Sequence, residues 1–326
     1  MKTIVTHASP DLDAITSVWL IKRFLPGWED AQVEFVSAGE RIQRLAPSKL
    51  APSSKEEKLN AIEEINGNEV IHVDTGNGPL DHHSVSNDKV SASSLAFEFI
   101  KQSLEKAGQP LNQDKIDALE RMVGVVTEID HFKEVFWADP LAYYHDFSLI
   151  GILEGLKFEK PNNDLFYVDF ISGCLDAIIR QFENRIWAEK EIKEKGREFQ
   201  TKWGRGIGLE TINDSVLKLA QKMDYSIVVR KDPRKGYVRI KAKPQRLASS
   251  KLASSSEEEK LNARRYTLNV DVDLTLVYEK LSKMDPEATW FLHVSKKMLL
   301  NGTVKNPKMK PTSLSLDEII KVLESV

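Results

Sequence analysis

The sequence predicts a two-domain α/β protein. A parallel-sheet N-terminal domain is expected over residues 1–160, a helical connector over 161–205, and a smaller α/β domain over 206–326, with the functional cleft between the two domains. Three observations lead there. At 326 residues the chain is longer than a single core of roughly 250 residues usually grows. In its first half, short β-branched runs alternate with longer stretches of helical apolar spacing, the pattern of a parallel sheet with crossover helices. Near residue 206 that pattern changes to strand-like runs around turn signals.

The elements follow in order. KTIVTH reads as a short buried strand. DAITSVWLIKRFL follows as a helix that Pro26-Gly27 ends. AQVEFVSAG is a second strand and NEVIHVDTG a third, closing on the turn Asp74-Thr75-Gly76. SASSLAFEFIKQSLEKAG is a helix stopped by glycine, and KIDALERMVGVVTEIDHF is another. Residues 163–205 read as mostly helical, with Glu-Lys pairs at i,i+4 late on. YSIVVRK and GYVRIKAKP are strand-like runs around Asp232-Pro233-Arg234-Lys235-Gly236, and VDLTLVYEKLSKM is a helix. TWFLHV and KMLLNG are short apolar pieces. Ser315 opens a last helix with Glu318 three residues on, a capping-box pattern.

One segment stands apart. QRLAPSKLAPSSKEEKLNA (43–61) recurs as QRLASSKLASSSEEEKLNA (245–263), differing only at Pro47/Ser249, Pro52/Ser254 and Lys55/Glu257. A solenoid would need several adjacent repeats. Neither copy holds His or Asp, and loops accept insertions at small cost. The pair reads as a mobile in-frame element inserted twice, similar to the small palindromic elements inside some bacterial coding sequences. A duplicated interaction helix is the alternative.

Composition narrows the function classes. A net charge of −3 does not advertise a long nucleic-acid partner, though a compact phosphorylated substrate stays open. The single cysteine, Cys174, allows no intrachain disulfide and suits a reducing compartment. MKTIVTHAS lacks the apolar core of a signal peptide, and FSLIGILEGL is too short to span a bilayer, so a cytoplasmic protein without membrane association is expected.

The polar residues with chemistry cluster at strand ends. His7, Asp11 and Asp13 follow the first strand; Asp74, Asp81, His82 and His83 follow the third; Asp130 and His131 follow a helix. Taken singly, Asp11 or Asp13 could be a helix N-cap and Asp74 a turn residue. Together they fall where an open α/β sheet binds ligands, at the carboxyl ends of its strands. Carboxylates from separate segments would repel one another there, and burying them without cations is costly. Mixed imidazole and carboxylate donors suit Mn²⁺, with Mg²⁺, Co²⁺ or Fe²⁺ as other choices, and the lack of cysteine speaks against structural zinc. His72 reads as a packed histidine, and His145 as structural.

The order H-x-x-x-D-x-D (His7, Asp11, Asp13), a strand-end Asp74, the triplet D-H-H (81–83) and a later Asp130 closely resembles the DHH phosphoesterase superfamily, which includes RecJ-like exonucleases and manganese-dependent phosphohydrolases. That resemblance implies two divalent metals, Mn²⁺ first among them. His7 and Asp11 would hold one; Asp13, His82 and Asp130 the other; Asp74 would bridge them. His83 would contact the substrate, with Asp81 orienting a histidine. Metal-activated water would then attack phosphorus.

It also implies a C-terminal substrate domain with a glycine-rich GGGH signature. This chain has ATWFLHVSKKMLLNG there instead, leaving His293, Ser295, Lys296, Lys297 and Asn301, with His131, as candidate substrate contacts and Lys305, Lys308 and Lys310 as added positive charge. The substrate expected is a nucleotide, short single-stranded oligonucleotide or cyclic dinucleotide. Pyrophosphate or polyphosphate is the alternative, as is a non-catalytic nucleotide-binding member; a homodimer is compatible with either.

Overall fold

The structure, a computed structural model, describes residues 1–42, 60–244, 271–303 and 306–326. Both copies of the repeat therefore lie outside the described residues, apart from Asn60 and Ala61, as does Lys305. The chain divides into two compact units, Met1–Glu183 and Asn184–Val326. The division falls inside the stretch expected to be a connector.

In the first unit, β1 (Lys2–His7) lies between two parallel neighbours, β2 (Gln32–Val36) and β4 (Asn68–His72). A short β3 (Glu63–Ile65) pairs antiparallel with β4, giving the order β2-β1-β4-β3. The sequence reading missed β3, which is three residues long with two glutamates; only Ile65 of it is buried. An internal strand has no solvent face to fill with polar residues, so Ile4 and Val5 are fully buried.

Helix α1 (Leu12–Phe24) begins five residues after β1 ends, with Asp11 as N-cap accepting from the Ala14 amide at 2.9 Å. Its first ten residues are all buried, as α2 (Ala92–Lys106) and α3 (Gln113–Asp130) pack beside it. Ser91 caps α2 in a capping box and also bonds Thr127 of α3 at 2.9 Å, which ties the start of α2 to the last turns of α3. After α3 come a 3₁₀ turn (Lys133–Phe136), α4 (Leu149–Glu159) and the long α5 (Asp164–Lys195). Asp176 of α5 accepts from Trp19 Nε1 at 2.8 Å and from Arg23 of α1. Residues 132–158 expose an unusual number of large apolar side chains, among them Phe132, Phe136, Leu141, Tyr143, Phe147 and Phe158.

The second unit is built on one six-stranded sheet, β5-β6-β7-β8-β10-β9. Its strands are β5 (Arg197–Thr201), β6 (Gly204–Glu210), β7 (Ile227–Lys231), β8 (Val238–Ala242), β9 (Trp290–Leu292) and β10 (Met298–Asn301). Only β6 and β7 run parallel; α6 (Ser215–Lys222) links them. Val229, Ile240 and Leu299 pack with α7 (Thr275–Met284) and the capping-box helix α8 (Leu316–Glu324). Ile207, Leu209 and Val228 pack with α6 and the end of α5. The expected helical connector thus gives way to strand at 197–201. Strand β6 and helix α6 were not foreseen: three glycines in GRGIGLE hide the strand. A Cβ on Gly206 would meet the Phe199 ring at 2.3 Å, and one on Gly208 the Ile320 side chain at 2.9 Å, so close packing demands those glycines.

Candidate metal centre

Parallel pairing places the centre. Val5 of β1 is level with His72 of β4, so His7 and Asp74, each two residues further on, leave the same edge of the sheet. His7 Nε2 lies 3.3 Å from Asp74 Oδ2 and 3.8 Å from Asp11 Oδ2. The other oxygen, Asp74 Oδ1, lies 3.5 Å from His82 Nε2 and 3.7 Å from His83 Nδ1. His82 Nε2 is in turn 3.4 Å from Asp130 Oδ2 and 3.9 Å from Asp13 Oδ2. Among the described residues three sets of donor atoms lie within 4.8 Å of one another: His7-Asp11-Asp74, Asp74-His82-His83 and His82-Asp130-His131. Asp74 belongs to two of them, with Oδ2 toward His7 and Oδ1 toward His82 and His83.

Local structure explains how each side chain is presented. Asp74 has φ +53°, in the left-handed region that non-glycine residues seldom adopt. Its amide donates to Leu80 O at 3.0 Å, closing the loop 74–80. Gly76 (φ +77°) stands against Arg41, whose Cγ a Cβ would meet at 2.7 Å; Arg41 Nη1 donates to Gly76 O at 2.8 Å. Arg41 also pairs with Glu63 and lies 3.2 Å from His72 Nδ1, so His72 is the buried, hydrogen-bonded residue that the sequence led one to expect. Asp81 accepts from the amide of Asn77 at 2.6 Å, the amide of His83 at 3.1 Å, and His83 Nδ1 at 2.7 Å. It therefore fixes the His83 ring and leaves Nε2 for another partner. His83 is 62% exposed.

Two carboxylates do more than ligation requires. Asp11 spends Oδ1 as the α1 cap while Oδ2 faces His7. Asp13, 2% exposed, accepts from the first amides of α2, Ala92 at 2.7 Å and Ser93 at 3.0 Å. A carboxylate oxygen has a second lone pair, so these bonds leave coordination open. His131 Nε2 is 2.9 Å from Val90 O, which fixes its ring edge-on to His82 with centroids 5.8 Å apart.

The charge pattern fits a cation. Burial pushes the Asp13 carboxyl up, and the charges of Asp74 and Asp130 push it further, to about 7. Burial likewise raises Asp130. Burial would lower the His7 imidazole, but Asp74, the Ala8 carbonyl and Asp11 outweigh it and lift it to about 9. Asp74 lifts His82 to about 9, against burial and aided by Asp130 and Asp13. Burial pushes Asp74 up as well, yet His7, His82 and His83 hold it at about 2. The cluster thus balances its carboxylates with protons on imidazoles. Two buried carboxylate oxygens, Asp74 Oδ1 and Asp130 Oδ2, still have no hydrogen-bond partner among the described residues. Orphaned acceptors facing imidazole nitrogens are what a divalent cation would satisfy.

The second-unit candidates gather in the β9–β10 hairpin. His293 Nδ1 lies 2.8 Å from Ser295 Oγ. Lys296 (φ +57°) donates to Asp273 at 2.8 Å, and Lys297 pairs with Asp271 and donates to Val272 O at 2.9 Å. Asn301 is a correction. It is fully buried; its Nδ2 donates to Thr289 O and Lys310 O, both at 3.0 Å, and its Oδ1 accepts from the Thr312 amide at 2.7 Å. No polar atom is left for a substrate, so Asn301 knits the unit together instead. Arg41 was missed by the sequence reading; it follows β2 without a motif of its own.

No family profile matches the sequence, and no curated protein does. Solved structures that are similar include a DHH domain described as a member of the s1p family of ribosomal proteins, at 12% identity and TM-score 0.29, covering 99% of this chain and 86% of that one. An uncharacterized Helicobacter pylori G27 protein matches at 14% identity and TM-score 0.23, with 100% of both chains covered. A Methanococcus jannaschii chain described as a family II inorganic pyrophosphatase matches at 14% identity and TM-score 0.19, covering 74% of this chain and 87% of that one. Superposition this loose adds nothing to the roles of individual residues, which rest on the geometry above. No described helix is long and apolar enough to cross a membrane.

Proposed function

We propose that the chain is a divalent-metal-dependent phosphohydrolase of the phosphodiesterase type, acting on a small phosphorylated substrate. One observation carries the reading: buried Asp74 turns one oxygen to His7, which also faces Asp11, and the other to His82 and His83, and its Oδ1 lacks a hydrogen bond among the described residues. A carboxylate so placed is suited to serve two cations. His7 and Asp11 would hold one; His82 and Asp130 would hold the other, with Asp13 beside them. Mn²⁺ suits this donor set best. When bound, such ions neutralise phosphoryl oxygens and acidify water.

The protein side of the chemistry follows from its own residues. Asp81 pins Nδ1–H of His83, which sets the ring so that Nε2, when the imidazole is protonated, can give its proton to a departing oxygen and leave the ring neutral. His131, held by the Val90 carbonyl, stacks edge-on against His82 and limits its swing. The capped starts of α1 and α2 keep Asp11 and Asp13 from turning away.

The test is a hydrolysis screen on the full chain, first stripped with chelator and then given Mn²⁺. The panel is a generic phosphodiester, short RNA, cyclic dinucleotides and pyrophosphate. Activity is expected only with metal and greatest on a phosphodiester. Equal turnover in excess chelator refutes the proposal.

A further inference from the structure

The stretch from Phe136 to Phe158 inverts the usual arrangement of a surface loop. Its polar groups are satisfied from within, while its large apolar side chains face outward. The amides of Ala142, His145 and Phe147 donate to Asp139 O at 2.9 Å, Ala142 O at 2.9 Å and Tyr143 O at 3.3 Å. Tyr144 Oη donates to Ala138 O at 3.0 Å, and Trp137 Nε1 donates to Glu128 of α3 at 2.9 Å, which ties the stretch to the rest of the unit. The first turn of α4 lies against it so closely that a Cβ on Gly151 would collide with the Asp146 carbonyl oxygen. The stretch is therefore a folded surface held by hydrogen bonds. Phe136, Leu141, Tyr143, Phe147 and Phe158 are nonetheless each between 85% and 94% exposed, and of the apolar residues in α4 only Leu153 is buried.

Area and charge say what covers such a surface. At roughly 200 Å² for each large side chain, these five present on the order of 900 Å². The largest apolar patch on a monomer is about 300–600 Å². A stable association covers about 800 Å² on each partner, which this face supplies. Single-stranded nucleic acid stacks on aromatic rings beside cations, and an anionic lipid surface is met by lysine and arginine around apolar side chains. From 134 to 156 the sequence has no Lys or Arg; its formal charges there are Glu134, Asp139, Asp146 and Glu154. The fitting occupant is a protein surface poor in charge and rich in apolar side chains, the composition of homodimer interfaces. This face is itself such a surface, and a two-fold axis brings it against its own copy.

We propose that two copies of the chain pair through this face of the first unit, each covering the 136–158 surface of the other. The pairing stands apart from the reading of the metal centre, and neither depends on the other.

Sedimentation equilibrium of the full-length protein over a range of concentrations tests it. The parent is expected to be a dimer whose melting temperature rises with concentration. Leu141→Ser and Phe147→Ser, made singly, should each raise the dissociation constant about 30-fold or more with an unchanged circular dichroism spectrum. Phe291→Ser, at an exposed apolar side chain of the second unit, should leave the dissociation constant as it is. A parent that stays monomeric at every concentration overturns the inference, and so does a dimer that both face substitutions leave intact. Should either serine variant unfold, thiol labelling decides. The thiol of Phe147→Cys, in a Cys174→Ser background, should react with a maleimide more slowly as protein concentration rises, and a rate independent of concentration overturns the pairing. Binding of the parent to vesicles of phosphatidylglycerol and phosphatidylcholine, lost in Leu141→Ser, would assign the face to lipid and overturn it as well.

Discussion

Asp74→Asn isolates the residue on which the centre turns. The substitution keeps shape and removes one charge that both His7 and His82 face. Its worth can be taken from either partner. His7 rises from 6.5 to about 9, which at about 1.36 kcal/mol per unit is about 3 kcal/mol. Asp74 falls from 3.8 to about 2, or about 2 kcal/mol. The two figures share the His7–Asp74 contact and are not summed; the first also includes the Ala8 carbonyl and Asp11, the second His82 and His83. Both side chains are mostly buried, so solvent screens them little. In metal-free protein, stabilisation from the raised imidazoles is fully present below pH 6.5 and lost as pH rises through about 9. The parent should therefore exceed Asp74→Asn by about 2–3 kcal/mol near pH 6. The gap should close as pH rises past about 9, where the imidazoles lose their protons and Asp74 is left facing Asp13 and Asp130. With Mn²⁺ the ordering is the same but the gap should widen and persist at high pH: the parent gains from the ligand by mass action and the variant does not. Thermal melts across pH, with chelator and with Mn²⁺, read both regimes, and hydrolysis is assayed alongside. A stability gap that ignores pH would refute the electrostatic account. Full hydrolytic activity in Asp74→Asn would refute the shared-carboxylate centre itself.

Other outcomes follow from the same geometry. Mn²⁺ must displace protons from His7 and His82, both near pKa 9, so its apparent affinity should climb with pH up to about 9 with proton release; calorimetry in buffers of different ionisation enthalpy counts the protons. Arg41→Ala removes the strut under Gly76 and leaves Glu63 and His72 without their cation, so about 2–3 kcal/mol of stability and some Mn²⁺ affinity should go together in denaturant and calorimetric titrations. Asn301→Ala should lower the denaturant midpoint by the equivalent of about 1–3 kcal/mol, through buried groups on Thr289, Lys310 and Thr312, while turnover per folded molecule stays unchanged. A selective loss of turnover in Asn301→Ala would return it to the substrate site.

What the sequence made legible is what repeats along the chain. Strand β1 reads directly because both its faces are buried, and α1 to α3 because each carries an apolar stripe between caps. The polar donors read as a set because no fold needs seven histidines and aspartates at strand ends. What stayed hidden depends on contacts across the chain. Strand β6 is written in glycines whose necessity appears only when Phe199 and Ile320 are in place. Asn301 looks like any polar residue after a strand until three backbone groups converge on it. Arg41 has no neighbours in sequence that mark it.

Asp11 and Asp13 show why the helix-cap and ligand readings of THASPDLDA were never alternatives. Asp11 caps α1 through one oxygen and turns the other to His7; Asp13 receives the first amides of α2 while standing 3.9 Å from His82. A buried carboxylate beside Asp74 and Asp130 is pushed toward protonation, and amide donors from a helix start oppose that push without adding a titratable cation. Capping thus keeps a crowded carboxylate anionic enough to meet a metal, and fixes its direction in the same stroke. Removing the cap should therefore appear as weakened Mn²⁺ binding as well as a frayed helix. Replacing Ala92, the first residue of α2, by proline deletes one of the two amides at the helix position that tolerates proline and so tests that coupling. Mn²⁺ affinity should fall while the α2 core stays packed, and unchanged affinity would separate the two roles after all.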